Sequence, residues 1–464
     1  MCAFVLIAPL RLAMMAGPSA QEQKSWLAKA VRYEKNGWIY LHIEGDARVR
    51  GFQHGYLLAR EIAEGLRVRR ELWKHQSGME WDWLVAKSRA MLTPKIDPEN
   101  LAEIDGIVEG MRAANVVSSR DEMVAYNGWI ELAAYWWPKE KIRIESQAPD
   151  PAKQSCSSFI ATGGMTADGG IVLAHNTMSS YPEADANVVL DIVPARGHRI
   201  LMQSTPGWVH SGTDFFLTDA GLIGSETTIG GFRGFDERQT PEFVRMRRAT
   251  QDASSIDEWV AIMKRGNNGG YANAWLLGDT KTNEIARLEL GLKYVGFERK
   301  RDGFFTGSNV AEDLRILRLE TNLRSDDIRI SGVARRVRWK QLMKQYAGKI
   351  DAELAKRFMA DHYDTYLERE NAGSRSLCSH RELDPESSGS DGSLPFSPGG
   401  TFDGKVVDST MARKMTFAAR WGTACGIPFS AAQFLAAHPQ FDWMTGLLKD
   451  RPSQPWTEFQ AVQK

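Results

Sequence analysis

The sequence predicts an α+β fold in which two antiparallel sheets lie together with helices outside them. Two observations carry the prediction. Before about residue 150 apolar residues recur mostly at helical spacing, whereas after Cys156 the chain breaks into short runs of β-branched and aromatic residues. Helical stretches then return between and after those runs, which supplies the strands with outer cover.

The elements follow in chain order. Residues 52–73 place Phe52, Tyr56, Ala59, Ala63, Leu66 and Trp73 on one helical face. Residues 98–114 read as a second helix, with Leu101, Ile104, Ile107, Val108 and Met111 on one side. Ser119-Arg120-Asp121-Glu122 resembles a capped start for a third, running to Trp136 and ended by Pro138 and the charged stretch beyond it. Residues 147–155 form a polar, breaker-rich linker. Strands are expected at 156–161, 171–174, 187–193, 199–203, 214–217 and 222–228, with Gly, Pro or Asp between them. Helices at 241–250 and 256–264 precede strands at 272–277, 284–290 and 294–298. Helices at 312–320, 333–346 and 352–360 and strands at 405–410 and 414–419 complete the chain. The Ser/Gly/Pro-rich stretch 387–400 reads as a surface loop, and there is no internal repeat. The organisation expected is a leader over 1–20, a mainly helical segment over 21–155 ending in a cleavable linker, and a catalytic region over 156–464.

Composition narrows the function. The 464 residues are 43% hydrophobic and 25% charged, and 58 Lys+Arg balance 58 Asp+Glu, so no basic field points to nucleic acid. The basic stretches 67–70 and 335–344 are interleaved with apolar residues and read as solvated helix faces. Residues 1–20 contain an apolar run, interrupted by Arg11, and end in small residues; this reads as an export signal, predicting a periplasmic, secreted or lumenal protein. A mis-assigned start or a plain leader would leave it cytoplasmic. No other stretch approaches the ~18 apolar residues needed to span a bilayer.

Four cysteines are too few for a disulfide scaffold. Cys378 and Cys425 either pair in an oxidising compartment or are buried thiols. The histidines are scattered, without HExxH or CxxC, and Cys378-Ser379-His380 offers only two ligands, so no metal and no cofactor is expected. There is no phosphate-cradling glycine loop and no GxSxG elbow.

Cys156 is the candidate nucleophile. It opens a strand directly behind the linker, so a cut between Ser155 and Cys156 would give it a free α-amine. Such an amine titrates near ~7.7–8.0 and can serve as base toward the thiol on the same residue. His175-Asn176-Thr177 ends the strand expected to hairpin with that of Cys156, where orienting groups belong. Asn273 enters a strand behind a glycine turn and can offer its amide to an oxyanion. Ser225-Glu226-Thr227-Thr228 ends an apolar strand, and its hydroxyls and backbone N–H groups could serve the same purpose. The alternatives are a turn histidine, a turn-forming asparagine and an ordinary buried cysteine.

Seven short motifs recur in a known order. They are Arg50-Gly51-Phe52-Gln53-His54-Gly55, the run from Glu103 to Gly110, Cys156-Ser157-Ser158-Phe159, Ala174-His175-Asn176-Thr177, Ser204-Thr205-Pro206-Gly207, the run from Ala220 to Ile229, and Tyr271-Ala272-Asn273-Ala274-Trp275. In this order the chain resembles the phospholipase B-like family of N-terminal-nucleophile hydrolases, with the isopenicillin-N acyltransferase-like and choloylglycine hydrolase families as relatives. The resemblance implies a four-layer αββα fold, autoproteolysis before Cys156, a site lined by His175 and Asn176, and an oxyanion hole to which Asn273 contributes, with Thr228 weaker. His175-Asn176-Thr177-Met178 stands where choloylglycine hydrolases have Arg-Asn-x-Asp, which favours the phospholipase B-like branch. The function expected is hydrolysis of a small acyl ester or amide, lipid or N-acyl amide, through a thioester. An acyltransferase to an amine acceptor and an inactive binding protein of the same fold remain as alternatives. The segment before Cys156 is expected to stay associated after cleavage.

Overall fold

The computed structural model describes residues 17–145, 156–212, 215–387 and 394–463. The Ser155 side of the expected cut, the whole of the linker, most of the leader and part of the 387–400 loop lie outside these residues.

Among the described residues, two sheets account for most of the strands. The larger has nine, in the order β1 (Val31–Lys35), β2 (Trp38–Gly45), β5 (Val188–Pro194), β6 (Ile200–Ser204), β7 (Phe215–Thr218), β8 (Leu222–Thr228), β9 (Asn273–Asp279), β10 (Glu284–Leu290) and β11 (Val295–Lys300). The smaller has six: β12 (Gly303–Gly307), β3 (Ser157–Thr162), β4 (Val172–Ser180), β15 (Gly399–Asp408), β16 (Thr416–Trp421) and β17 (Thr457–Gln460). A small ribbon pairs β13 (Tyr363–Asp364) with β14 (Arg369–Glu370). The pairing is antiparallel except between β2 and β5, which run parallel.

Strand alternation builds the layers. Along β2, Trp38 and Tyr40 join Ile160, Leu173, Ile223 and Phe417 in the core between the sheets, whereas Ile39, Leu41 and Ile43 face the other way. The stretch Trp38–Leu41 is buried on both faces, which is why it shows no polar alternation. Helices Ala59–Ser77, Pro98–Ala113, Arg120–Asn127 and Ile256–Lys264 cover the outer face of the larger sheet, around Leu66, Ile104, Val124 and Trp259. Helices Ser331–Gln345 and Ala352–Met359 cover the smaller sheet through Trp339 and Phe358, against Phe159, Ala174 and Val406. The result is helix, sheet, sheet, helix.

Three sequence expectations change. The segment before residue 146 supplies β1 and β2 as well as helices. The single helix expected over 52–73 is two, Ala47–Leu57 and Ala59–Ser77, broken at Leu58, whose φ of −117° and ψ of 20° leave the helical region. Pro138 does not end its helix: the chain runs unbroken from Trp129–Glu131 through a π-helical turn, Leu132–Trp136, into Trp137–Glu145, and the proline sits where that wider turn gives way to the α-helix.

The first two motifs meet where Ala47–Leu57 crosses Pro98–Ala113. A Cβ on Gly51 would lie 2.0 Å from the Glu103 carbonyl oxygen, and one on Gly106 2.2 Å from that of Arg48. Glycine permits this backbone-to-backbone approach. Arg50 Nη2 donates to Glu103 Oε2 at 2.7 Å, and Arg247 Nη1 donates to Glu103 Oε1 at 3.2 Å. Burial alone would raise the Glu103 pKa, but Arg247 and Arg50 hold its carboxyl below the ordinary range. His54 Nε2 accepts the Gly207 N–H at 2.9 Å, joining the first motif to Ser204-Thr205-Pro206-Gly207.

Candidate active site

Cys156 stands directly before β3 with φ of 85°, a left-handed conformation that a side chain bearing Cβ rarely adopts. It is 2% exposed. Beyond it the strand alternates. The Ser157 hydroxyl accepts from Trp339 Nε1 at 3.0 Å on the outer side. Ser158 faces inward, its Oγ 2.7 Å from that of Ser225 on β8.

Three hydrogen bonds tie the start of β3 to the larger sheet. Arg335 Nη1 donates to the Cys156 carbonyl at 2.6 Å and Nη2 to Asn309 Oδ1 at 2.7 Å. Asn309 Nδ2 donates to the Thr228 carbonyl at 2.8 Å. Thr228 is the last residue of β8 and lies opposite Asn273, the first of β9. Cys156, Arg335, Asn309, Thr228 and Asn273 are thus connected through hydrogen bonds and strand register.

Asn273 is completely buried, and neither its Oδ1 nor its Nδ2 makes a hydrogen bond. An amide withdrawn from water without partners costs ~1–3 kcal/mol. Preorganised donors of this kind favour a developing oxyanion because they need no reorientation when charge appears. The Thr228 hydroxyl is already engaged: it donates to the Tyr271 hydroxyl at 3.3 Å, and Tyr271 donates to Glu226 Oε1 at 2.6 Å.

The structure separates the pair expected on the neighbouring strand. His175 and Asn176 lie within β4 rather than at its end, and neighbouring strand residues face opposite ways. His175 is opposite Ser158 and buried, with no well-formed hydrogen bond at either ring nitrogen. Burial and then the Lys405 charge drive its pKa well below the ordinary range, with only the Glu226 backbone acting the other way. It is therefore a neutral imidazole. Asn176 faces outward, where its Nδ2 donates to the carbonyls of Met359 at 2.8 Å and Leu377 at 2.9 Å. It braces the outer helix layer, and in register it lies opposite Ser157, the residue after Cys156.

Arg335 corrects the reading of 335–344 as a solvated face, since it is 1% exposed. Its spacing from Trp339 and Leu342, both buried, put it on the apolar stripe of its helix, and that signal was available. Lys405 was also missed: its Nζ donates to Asp403 Oδ1 at 2.6 Å and to Gln203 Oε1 at 2.5 Å, a fully buried ion pair between the sheets. Trp136 and Trp137 pack with Trp73 and Trp83 in the core. Cys378 and Cys425 are thiols, so the pairing considered for them is not formed. They converge instead with His362 and His380, so two local ligands become four, against the expectation that no metal-ligand set exists. No described helix is long and apolar enough to cross a membrane.

Comparison with known proteins gives the sequence a setting. The family described as Phospholipase B matches residues 101–295. A Bos taurus protein named "Putative phospholipase B-like 2" is 29% identical over 150 residues, covering 27% of this chain and 24% of that relative. A "Phospholipase B" of Crotalus adamanteus is 27% identical over 244 residues, covering 47% of this chain and 42% of the relative. The matched regions thus span less than half the length of either relative. Among solved structures, the C2A mutant of a conjugated bile acid hydrolase from Clostridium perfringens aligns with 57% of this chain and 89% of its own, at 12% identity and a TM-score of 0.31. The chain resembles the phospholipase B-like family.

Proposed function

We propose that the protein is a self-processing hydrolase that cleaves acyl ester or amide bonds with Cys156 as an N-terminal nucleophile. The observation that carries this reading is the placement of Cys156: a strained residue directly before a strand, its carbonyl held by Arg335, in one hydrogen-bonded group with the strand ends that present Asn273. The printed name of the matched family favours a glycerophospholipid ester over an N-acyl amide.

Processing begins with attack of Cys156 Sγ on the Ser155 carbonyl carbon. The peptide C–N bond breaks, a thioester forms, and the nitrogen leaves as the α-amine of Cys156. Water then hydrolyses the thioester, leaving a carboxylate on Ser155 and a free thiol. Relief of the left-handed φ at Cys156 favours the cut. In turnover the new amine takes the Sγ proton and the thiolate attacks the acyl carbon. The Asn273 amide donates to the oxyanion, and the protonated amine returns its proton to the leaving alcohol or amine. A second attack, by water, releases the acid. His175, neutral and internal, takes no proton in this scheme.

The test compares the wild type with Cys156→Ala by intact mass, N-terminal sequencing and release of fatty acid from a glycerophospholipid and from an N-acyl amide. The expected result is a wild-type piece beginning at Cys156 and an uncut, inactive variant. Activity that survives in the variant, or in a wild type that stays uncut, would overturn the proposal. Transfer of the acyl group to an added amine would identify the acyltransferase reading instead.

A further inference from the structure

The molecule carries a second cluster of reactive side chains, beside the outer core of the smaller sheet. His362 precedes the β13–β14 ribbon, Cys378 and His380 follow it, and Cys425 lies beyond β16. Each offers one ligand atom, and the four atoms all lie within 4.8 Å of one another. We propose that these residues form a tetrahedral, structural site for one zinc ion.

The geometry is close to that of a filled site. Zinc binds thiolate sulfur at ~2.3 Å and imidazole nitrogen at ~2.0–2.1 Å, so a sulfur and a nitrogen on one tetrahedral ion stand about 3.5 Å apart. His380 Nε2 is 3.3 Å from Cys425 Sγ and 3.7 Å from Cys378 Sγ. Two edges of the tetrahedron therefore have the required length before any ion is added.

The surroundings point the same way. His380 Nδ1 lies 2.9 Å from Glu382 Oε1, the carboxylate contact that fixes a ligating imidazole with its other nitrogen toward the metal. The Ile427 N–H donates to Cys425 Sγ at 3.4 Å, a bond that stabilises a thiolate. His362 Nε2 is buried without a hydrogen-bond partner. Two thiolates and two imidazoles select zinc over magnesium or calcium, which prefer oxygen. Four protein ligands leave no open position for substrate or water, which makes the site structural.

The ion would fasten three chain segments that have no sheet pairing with one another. One of them carries the Leu377 carbonyl that accepts the Asn176 amide, so the staple braces the helix layer behind β4. This inference stands apart from the hydrolase reading, because none of the four residues belongs to the Cys156 group.

The experiment uses the full chain, processed or not, purified without chelator from zinc-supplemented culture. Elemental analysis should give about one zinc per chain in the wild type and in Cys156→Ala, and loss of that zinc in Cys425→Ser and His362→Gln. Cobalt added to the reduced, metal-stripped wild type should produce thiolate-to-metal charge-transfer absorption and the intense visible bands of a tetrahedral ion. Zinc should slow alkylation of Cys378 and Cys425 at least tenfold. The wild-type cobalt and alkylation readouts stand even if the variants fail to fold. A folded, reduced wild type that retains no zinc and alkylates equally with and without it would overturn the proposal. So would a Cys378–Cys425 disulfide, seen as a mass lower by two hydrogens, in protein isolated without oxidant.

Discussion

Asn273 and Asn176 show how one residue type takes opposite roles. Asn176 spends its amide on two backbone carbonyls, so its replacement should loosen the outer helices. Asn273 spends its amide on nothing in the resting protein. Asn273→Ala should therefore lower turnover by ~10²–10³-fold with KM little changed, as loss of an oxyanion donor does. Its thermal midpoint should be equal to or above that of the wild type, since a buried unmatched amide is removed. Steady-state kinetics beside a melting curve checks both, and undiminished turnover would remove Asn273 from the site.

At the scale of elements, the crossing of Ala47–Leu57 and Pro98–Ala113 depends on glycine at the contact. The Cβ of Gly51→Ala would be forced to within 2.0 Å of a main-chain oxygen, which cannot rotate away as a side chain can. The helices must separate, at a cost of about 2 kcal/mol or more. Urea unfolding should show the loss, whereas Gly78→Ala, with nothing within 4 Å of its Cβ, loses less and only through its left-handed φ. The strands behave similarly: β4 runs through His175 and Asn176 because its pairing with β15 continues to Ser180, a long-range fact absent from the local hydropathy.

At the scale of the molecule, the segment before the expected cut is built into the fold. β2 pairs with β5 in the larger sheet, Glu103 pairs with Arg247, and His54 accepts from Gly207. The two pieces of a processed chain should therefore co-purify at neutral pH and separate in denaturant. Burial pushes the His54 pKa down to about 4 against the opposing pull of Glu103. The unfolded value is ~6.5, so the contribution from neutral His54 is fully present above that pH and is lost as pH falls toward 4. The loss reaches about 3 kcal/mol across the window. His54→Gln keeps an acceptor for Gly207 but does not titrate, so its stability should fall less between pH 7 and pH 4. Urea midpoints at the two pH values measure the difference, and parallel losses in variant and wild type would refute the assignment.

The layers and the identity of Cys156 and Asn273 as candidates were legible in the chain. Helical spacing, β-branched runs and turn residues are local, and so is a cysteine that opens a strand behind a linker. Four things were decided only by the tertiary structure. Arg335 became a buried partner of Cys156 because its helix packs on the smaller sheet. Asn176 was turned toward the outer helices by the parity of β4. The segment before the expected cut joined the larger sheet through β1 and β2. His362 and Cys425 were brought to Cys378 and His380 from 16 residues before and 47 residues after Cys378. The physical reason is common to all four. Periodicity and turn chemistry act over a few residues, whereas register, facing and convergence are set by which surfaces bury one another after the chain has folded.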